Sequence, residues 1–534
     1  MTKKLRIDFL GFIFLIPGVV CVFGDQRELT HPLPRGGTDF INPTHPLPRG
    51  GTDLIKALHV FPQRRTETNN QAADAASLAE LREAISLLQV GKPDQAEPIL
   101  RRLISKAPRN PDAHNLLGTI LDRRKQFKEA EQEYRIALRL KPDAVSPLAN
   151  LGVLLAHTGR SDEAIKAFES VLQRVPDHPQ ATLNLGLQLV TRGDYARAAT
   201  LLESVRQLGF DNYDTHYNLG VAFYNLKRYD EAIAMLGSAS ALAPNAGEPL
   251  YFLGLVAWAR GQDETAAEFW DRAVTIRPNF PEANFMLGEA LRKNRRTEAS
   301  LEFYTRALDQ DPARFVHYAR LGGAYFLLGR HDPALEIFRR ATQLFPKMAE
   351  AHYFVGIAAR AKADYDLAEA AFRRSLLLRP NNVDALAQLG FIIGERDRYA
   401  EAEKVLRSAI AINEKHFYAN YDLGRLLVKS RRYEESLSVL SRAAALKQKD
   451  PGVHYQLFIA LSRLKRKEEA ERELATFKQL DAERKSQPED VYGVDVENSD
   501  PPPLIRPPYR TGSSSDRIQP SIQDFVPTRG SSYQ

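Results

Sequence analysis

Residues 145–178 read VSPLANLGVLLAHTGRSDEAIKAFESVLQRVPDH. Leu148, Leu151, Leu154 and Leu155 recur at the three- and four-residue spacing that lines one face of an α-helix. A polar turn around Thr158-Gly159-Arg160 interrupts them, and a second helical run follows through Ala164, Ile165, Phe168, Val171 and Leu172. Pro176 ends that run, because proline donates no backbone hydrogen bond and disfavours helix in the residue before it. The stretch predicts two helices joined by a short turn, a hairpin 34 residues long.

The same hairpin recurs in both directions along the 534-residue chain. Glycine stands at Gly118, Gly152, Gly186, Gly220, Gly254, Gly288, Gly322, Gly356, Gly390 and Gly424, each 34 residues after the last. Twelve residues further on comes alanine at Ala130, Ala164, Ala198, Ala232, Ala266, Ala334, Ala368 and Ala402, with Ser300 and Ser436 in the same place. Proline follows in phase at Pro142, Pro176, Pro244, Pro278, Pro312, Pro346 and Pro380. Glycine inside a helix costs about 0.5–1 kcal/mol relative to alanine. Ten in register therefore predict a close helix-to-helix approach at that point of every repeat.

This pattern resembles the tetratricopeptide repeat, with glycine or alanine at position 8, alanine at 20, an aromatic near 24 (Tyr134, Phe168, Trp270, Tyr304, Phe338, Phe372) and proline at 32. The resemblance covers residues 77–484 as twelve repeats; Ala84 and Phe458 replace the glycine in the first and last. It implies an all-α, right-handed superhelical α-solenoid of tandem helix-turn-helix repeats, in which each repeat contacts its neighbours. It further implies a protein-binding scaffold and no enzyme.

Composition agrees with that class. Hydrophobic content of 43% and charge of 26% describe a folded chain, and a net charge of +6 from 73 basic and 67 acidic residues is a mixed surface. No phosphate-cradling loop, zinc-ligand pair or nucleophile elbow is present, so neither a cofactor, a metal nor nucleic acid is expected. Cys21 is the single cysteine, which excludes an intramolecular disulfide.

The flanks differ from the repeats. Lys3, Lys4 and Arg6 precede the apolar run Phe9–Ile16, Pro17-Gly18 breaks it, and Gly24 is a plausible cleavage point. Residues 1–24 are read as an export signal, which places the protein in the periplasm or outside the cell. An uncleaved segment would be its one membrane attachment, and a failed signal would leave it cytoplasmic. Residues 25–76 form a linker in which Thr30–Asp39 recurs unchanged at Thr44–Asp53. Residues 485–534, rich in proline and serine, are read as a disordered tail.

In proteins with this pattern a partner lies along the first helices, on the inner, concave side. Three rows stand there. At position 6, Asn150, Asn184 and Asn218 resemble the asparagine ladder of O-linked N-acetylglucosamine transferases, which holds an extended peptide by its main chain; a carboxamide both donates and accepts. At position 5 run Tyr217, Tyr251, Phe285 and Tyr353, with Trp258 at position 12, as aromatic anchors. At position 2 stand Asp112, Asp214, Glu248, Glu282, Glu350 and Asp384. Basic clusters starting at Arg123, Lys293, Lys429 and Arg463 are read as solvated helix ends, and His114, His216, His352 and His454 as helix-surface histidines. The expected partner is a protein or peptide at the cell envelope. The alternative is a regulatory or substrate-recruiting repeat protein for a glycosyltransferase-type partner; 50 tail residues are too few for a catalytic domain of its own.

Overall fold

The computed structural model describes residues 12–16, 19–23 and 68–486. The 14-residue duplication, and the tail from residue 487 on, lie outside the described residues. Near the start, β1 (Phe12–Ile16) pairs antiparallel with β2 (Val19–Phe23), Ile16 opposite Val19 and Phe12 opposite Phe23. These two β-branched and aromatic runs suit a strand, and they are the departure from an all-helical chain among the described residues.

Twenty-four α-helices follow as twelve hairpins. In chain order they are α1 (Thr68–Gln89), α2 (Pro93–Lys106), α3 (Pro111–Arg123), α4 (Phe127–Leu140), α5 (Val145–His157), α6 (Ser161–Arg174), α7 (Pro179–Arg192), α8 (Tyr195–Gln207), α9 (Tyr213–Asn225) and α10 (Tyr229–Leu242). Then come α11 (Glu248–Ala259), α12 (Asp263–Ile276), α13 (Pro281–Lys293), α14 (Thr297–Gln310), α15 (Phe315–Leu327), α16 (His331–Leu344) and α17 (Ala349–Ala361). The series ends with α18 (Tyr365–Leu378), α19 (Val383–Glu395), α20 (Tyr399–Ile412), α21 (Phe417–Lys429), α22 (Tyr433–Leu446), α23 (Pro451–Arg463) and α24 (Lys467–Ser486). Odd-numbered helices open each repeat and even-numbered ones close it. The first helix starts at Thr68, upstream of the predicted repeat boundary at Ser77. The helices fall into two compact bodies, α1–α10 ending at Pro244 and α11–α24 starting at Asn245.

Ten of the twelve hairpins close on their glycine. A Cβ built on Gly152 would stand 2.7 Å from the ring of Phe168, and one on Gly288 would stand 2.7 Å from Tyr304. Where position 24 is leucine instead, as at Leu202 opposite Gly186, the approach is the same. The small residue at position 20 has no surface: Ala130, Ala164 and Ala402 are fully buried, as are Ser300 and Ser436. Those two serines satisfy their hydroxyls within their own helix, on the carbonyls of Thr297 and Tyr433 at 2.7 Å.

The turn inside each hairpin carries a feature that the sequence shows only in part. Position 15 is left-handed in all twelve repeats, as glycine at Gly91, Gly159, Gly193, Gly261 and Gly329 but as another residue at Lys125, Lys227, Arg295, Ala363, Asp397, Arg431 and Lys465. The next amide then bonds back to the carbonyl of position 11, as in Arg160 to Leu155 at 2.9 Å, which satisfies a free helix-end carbonyl.

Between repeats, a polar residue at position 4 ties the incoming loop. His114 Nε2 donates to the Pro108 carbonyl at 3.0 Å, His352 to Pro346 at 3.0 Å and His454 to Gln448 at 3.0 Å. Asn284 and Asn420 do the same with Nδ2 onto Pro278 and Glu414. The surface reading is corrected here for two of the four histidines. His114 and His216 are buried, because position 4 faces the loop that precedes its own helix and supplies the donor which that loop lacks.

Candidate functional site

The three asparagines lie on α5, α7 and α9 of the amino-terminal body, each half-buried. Asn150 spends one amide hydrogen on Asn115 Oδ1 at 3.0 Å, and Asn218 spends one on the carbonyl of Asp214 at 2.8 Å. Asn184, between them, makes no side-chain hydrogen bond with any described residue. Asn115 is a member that the position-6 reading missed, because it stands one place earlier in its repeat.

The aromatic row divides by burial. Tyr217 keeps 7% of its surface and stacks on Tyr213 with ring centroids 5.7 Å apart. Tyr251, fully buried, packs against Phe252 and Phe280, and Tyr353, at 3%, packs against Phe354 and Phe372. These two belong to the core and present no surface to a partner. Phe285 is half-buried between Tyr304 and His317, and Trp258 keeps 9% exposure beneath the Lys293 ammonium, 4.5 Å from its ring. Trp258, Tyr251, Phe285 and Tyr353 stand on the second body, whereas the asparagines and Tyr217 stand on the first.

Three of the six acids in the row are paired within their own repeat. Glu248 meets Arg277 at 2.8 Å, Glu350 meets Arg379, and Asp384 meets His416 at 3.1 Å. Arg277 and Arg379 both stand at position 31, so the hairpin's last residue neutralises its first turn. The basic clusters are likewise engaged, across repeats. Position 14 reaches the preceding repeat's position 18, as in Arg124 to Asp94, Lys362 to Asp332 and Arg396 to Asp366. Position 16 clamps a glutamate of its own repeat and one of the repeat before: Arg160 holds Glu163 and Glu131, Arg398 holds Glu401 and Glu369, and Arg432 holds Glu435 and Glu403. Cations committed in this way do not form an open stripe for phosphate.

Two charged groups on the first helices of the second body were not singled out from sequence. Glu289 is ion-paired with Arg320, whose Nε lies 2.7 Å from its carboxylate, and accepts from the Tyr304 hydroxyl at 2.5 Å. Burial alone would raise its carboxyl, but Arg320, Arg292 and Tyr304 outweigh burial and hold it below the ordinary carboxylate range. Three repeats on, where repeats ten and eleven meet, a cleft is lined by Phe391, Gly394, Glu395, Asp422, Arg425 and Lys429. Arg425 and Lys429 both reach Glu395, at 3.0 and 3.4 Å, which leaves Asp422 a loose contact with Arg425 at 3.7 Å. Burial pushes the Asp422 carboxyl up to about 6, against the pull of Arg425 and Arg360. Among the described residues no group of His, Cys, Asp and Glu could hold a metal ion, and no helix is long and apolar enough to cross a membrane.

Comparison with protein families agrees with this geometry. Residues 81–145 and 217–281 match the tetratricopeptide-repeat model, and 145–166 match a second model of the same repeat. The chain belongs to the tetratricopeptide-repeat family. Within this tetratricopeptide-repeat protein, residues 157–239 also match the model of anaphase-promoting complex (cyclosome) subunit 3, and 267–490 match that of the cilia and flagella-associated protein 70 C-terminal domain. The matches run without a gap from 81 to 490. A search of curated proteins found no match. Among solved structures, the chain is similar to the anaphase-promoting-complex hetero-tetramer Cut9–Hcn1, with 14% identity over 75% of this chain and 93% of that one and a TM-score of 0.41. It is similar to the C-terminal part of a repeat protein from Cytophaga hutchinsonii, with 16% identity over 45% and 99% and a TM-score of 0.40. It is similar, too, to YrrB, described as having an unusual peptide-binding site, with 21% identity over 34% and 95% and a TM-score of 0.29.

Proposed function

We propose that this tetratricopeptide-repeat protein is a non-enzymatic scaffold that holds an extended polypeptide along α5, α7 and α9 of its amino-terminal body. The carrying observation is Asn184, whose half-buried carboxamide is uncommitted and ready both to donate and to accept. Asn150 and Asn218 each spend one amide hydrogen internally and keep acceptor capacity beside it. Such groups read a main chain more than a sequence, and helix-borne side chains lose little freedom on binding. Trp258 and Phe285 on the second body are separate candidate contacts.

The test is a crosslinked partner recovered from the native host and rebound to variants. Asn184→Ala should weaken it by about 0.5–1.5 kcal/mol, the net value of one hydrogen bond, and the Asn150, Asn184, Asn218 triple alanine variant by more. A partner that binds the triple variant as tightly as the parent would move the site elsewhere.

We further propose that the protein acts at the cell envelope after export. Support comes from the basic start, the apolar run Phe9–Ile16 and the small residue Gly24. Mass spectrometry should then find a mature N-terminus near Asp25, and an intact Met1 in the cytoplasmic fraction would refute export.

A further inference from the structure

Beside the asparagines of the amino-terminal body stands an acid whose nearest basic neighbour does not reach it. Asp122, in the last turn of α3, keeps 14% of its side-chain surface, and His157, the last residue of α5, keeps 12%. His157 Nδ1 lies 4.0 Å from Asp122 Oδ1, too far for a hydrogen bond. Asp122 Oδ1 and His157 Nε2 are buried, and neither has a hydrogen-bond partner among the described residues. The hydroxyls one turn away are spent elsewhere. Thr119 donates to the Asn115 carbonyl at 3.0 Å, and Tyr134 donates to Thr119 at 3.5 Å. Charged side chains at the same positions of the second body are committed instead: Arg360 donates to Gln388 at 2.5 Å, and Lys293 meets Asp263 at 2.8 Å.

The pair stands in register with the asparagines. Asp122 follows Asn115 by seven residues on α3, and His157 follows Asn150 by seven on α5, so each pair shares a helix face two turns apart, about 10 Å along the axis. Asn150 Nδ2 donates to Asn115 Oδ1 at 3.0 Å, which brings the two helices together at the asparagine level. A main chain held there is separated from the Asp122 carboxylate by a distance that a serine or asparagine side chain does not span and an extended lysine or arginine does. Glutamate is excluded by charge.

We infer that the groove takes a basic partner, an extended chain that rests on Asn150 and Asn184 and sets one lysine or arginine side chain on Asp122. This rests on the groove reading given above and adds the charge of what the groove takes. The incoming cation supplies the donor that Asp122 lacks, and a hydrogen bond to a charged group is stronger than a neutral one.

The test uses the full chain and random dodecapeptides displayed on phage. Peptides selected by the parent should carry a lysine or arginine whose exchange for glutamine weakens binding by about tenfold or more. Asp122→Asn should erase that difference and leave the glutamine form bound as before. Asn184→Ala should weaken both forms alike. On the parent alone, the preference for lysine over glutamine should shrink as salt rises, which tests the ion pair without any variant. A lysine preference that survives Asp122→Asn or does not move with salt would overturn this inference, and so would selected peptides with no basic requirement; if those peptides still respond to Asn184→Ala, the groove reading stands. Peptides indifferent to both variants, or a library that yields no binder, would overturn the two together.

Discussion

Gly152 and Gly237 are both helical glycines, yet they face different surroundings. A methyl on Gly152 would meet Phe168 ring atoms at 2.7 and 3.0 Å in the buried seam, whereas nothing lies within 4 Å of Gly237, exposed in α10. Gly152→Ala should therefore destabilise by about 1–3 kcal/mol through overpacking, although alanine is the better helix former. Gly237→Ala should stabilise by about 0.5–1 kcal/mol. Thermal and denaturant melts decide both, and equal effects would break the close-approach account. Asp422 gives the pH case. Its carboxyl is raised from 3.8 to about 6, so the folded state holds the proton more tightly than the unfolded chain. Stability from this group is full below the unfolded value and is lost as pH rises from about 4 through 6, by on the order of 3 kcal/mol. Asp422→Asn should remove that slope and leave a variant more stable than the parent at pH 8 but not at pH 4. A parallel shift at both pH values would mean that the charge at Asp422 is not the cause. Its burial was not legible in the sequence, since an aspartate at position 6 reads equally well as surface.

Helices and turns show where sequence reading succeeds and where it stops. The glycine, alanine and proline marks were legible because each answers a steric demand that few residues meet. Position 15 was not, because seven of its twelve left-handed sites are occupied by residues other than glycine. Left-handed backbone disfavours such residues by about 1–2 kcal/mol each, so the fold tolerates strain that the sequence does not advertise. Ala363, with no polar side chain to compensate, should give the clearest gain: Ala363→Gly should stabilise by about 0.5–1 kcal/mol after the entropy of the freer unfolded glycine is offset. A loss of stability there would argue against the turn geometry. The loop ties at position 4 were also missed, because histidine and asparagine in a helix read as polar surface. Asn420 is fully buried and donates to the carbonyls of Glu414 and His416, both at 2.9 Å. Asn420→Ala takes the side-chain donor from the Glu414 carbonyl, while His416 keeps the backbone amide of residue 420, and should destabilise by about 1–3 kcal/mol, with exchange rising first at the start of α21. Unaltered exchange there would deny the tie its role. The binding row was half legible for a similar reason. Position 5 looks like an interface anchor, but Tyr251 and Tyr353 are buried against Phe280 and Phe372 of their own repeats.

Across the molecule, one rule joins these scales: each hairpin buries its seam against itself and its flank against the next, so stability accumulates by neighbours. Within the carboxy-terminal body, Ile392, Ile393 and Leu406 share a buried cluster with Leu423, Leu426 and Leu427 of α21. A chain ending at His416 loses repeats eleven and twelve and uncovers the first three residues, while the hairpins upstream keep their own glycine seams and ion-pair clamps. It should remain helical by circular dichroism, melt at a lower temperature than the full chain and bind an apolar dye at its new end. Hydrogen exchange should quicken in α19 and α20 and fade towards the parent rate within a repeat or two, because the lost contacts reach no further. Complete unfolding of the truncated chain would show that the carboxy-terminal body folds as a single cooperative block. Uniform acceleration through α11–α18 would do the same. Either result would replace the neighbour-by-neighbour account with one in which the body, not the repeat, is the unit of stability.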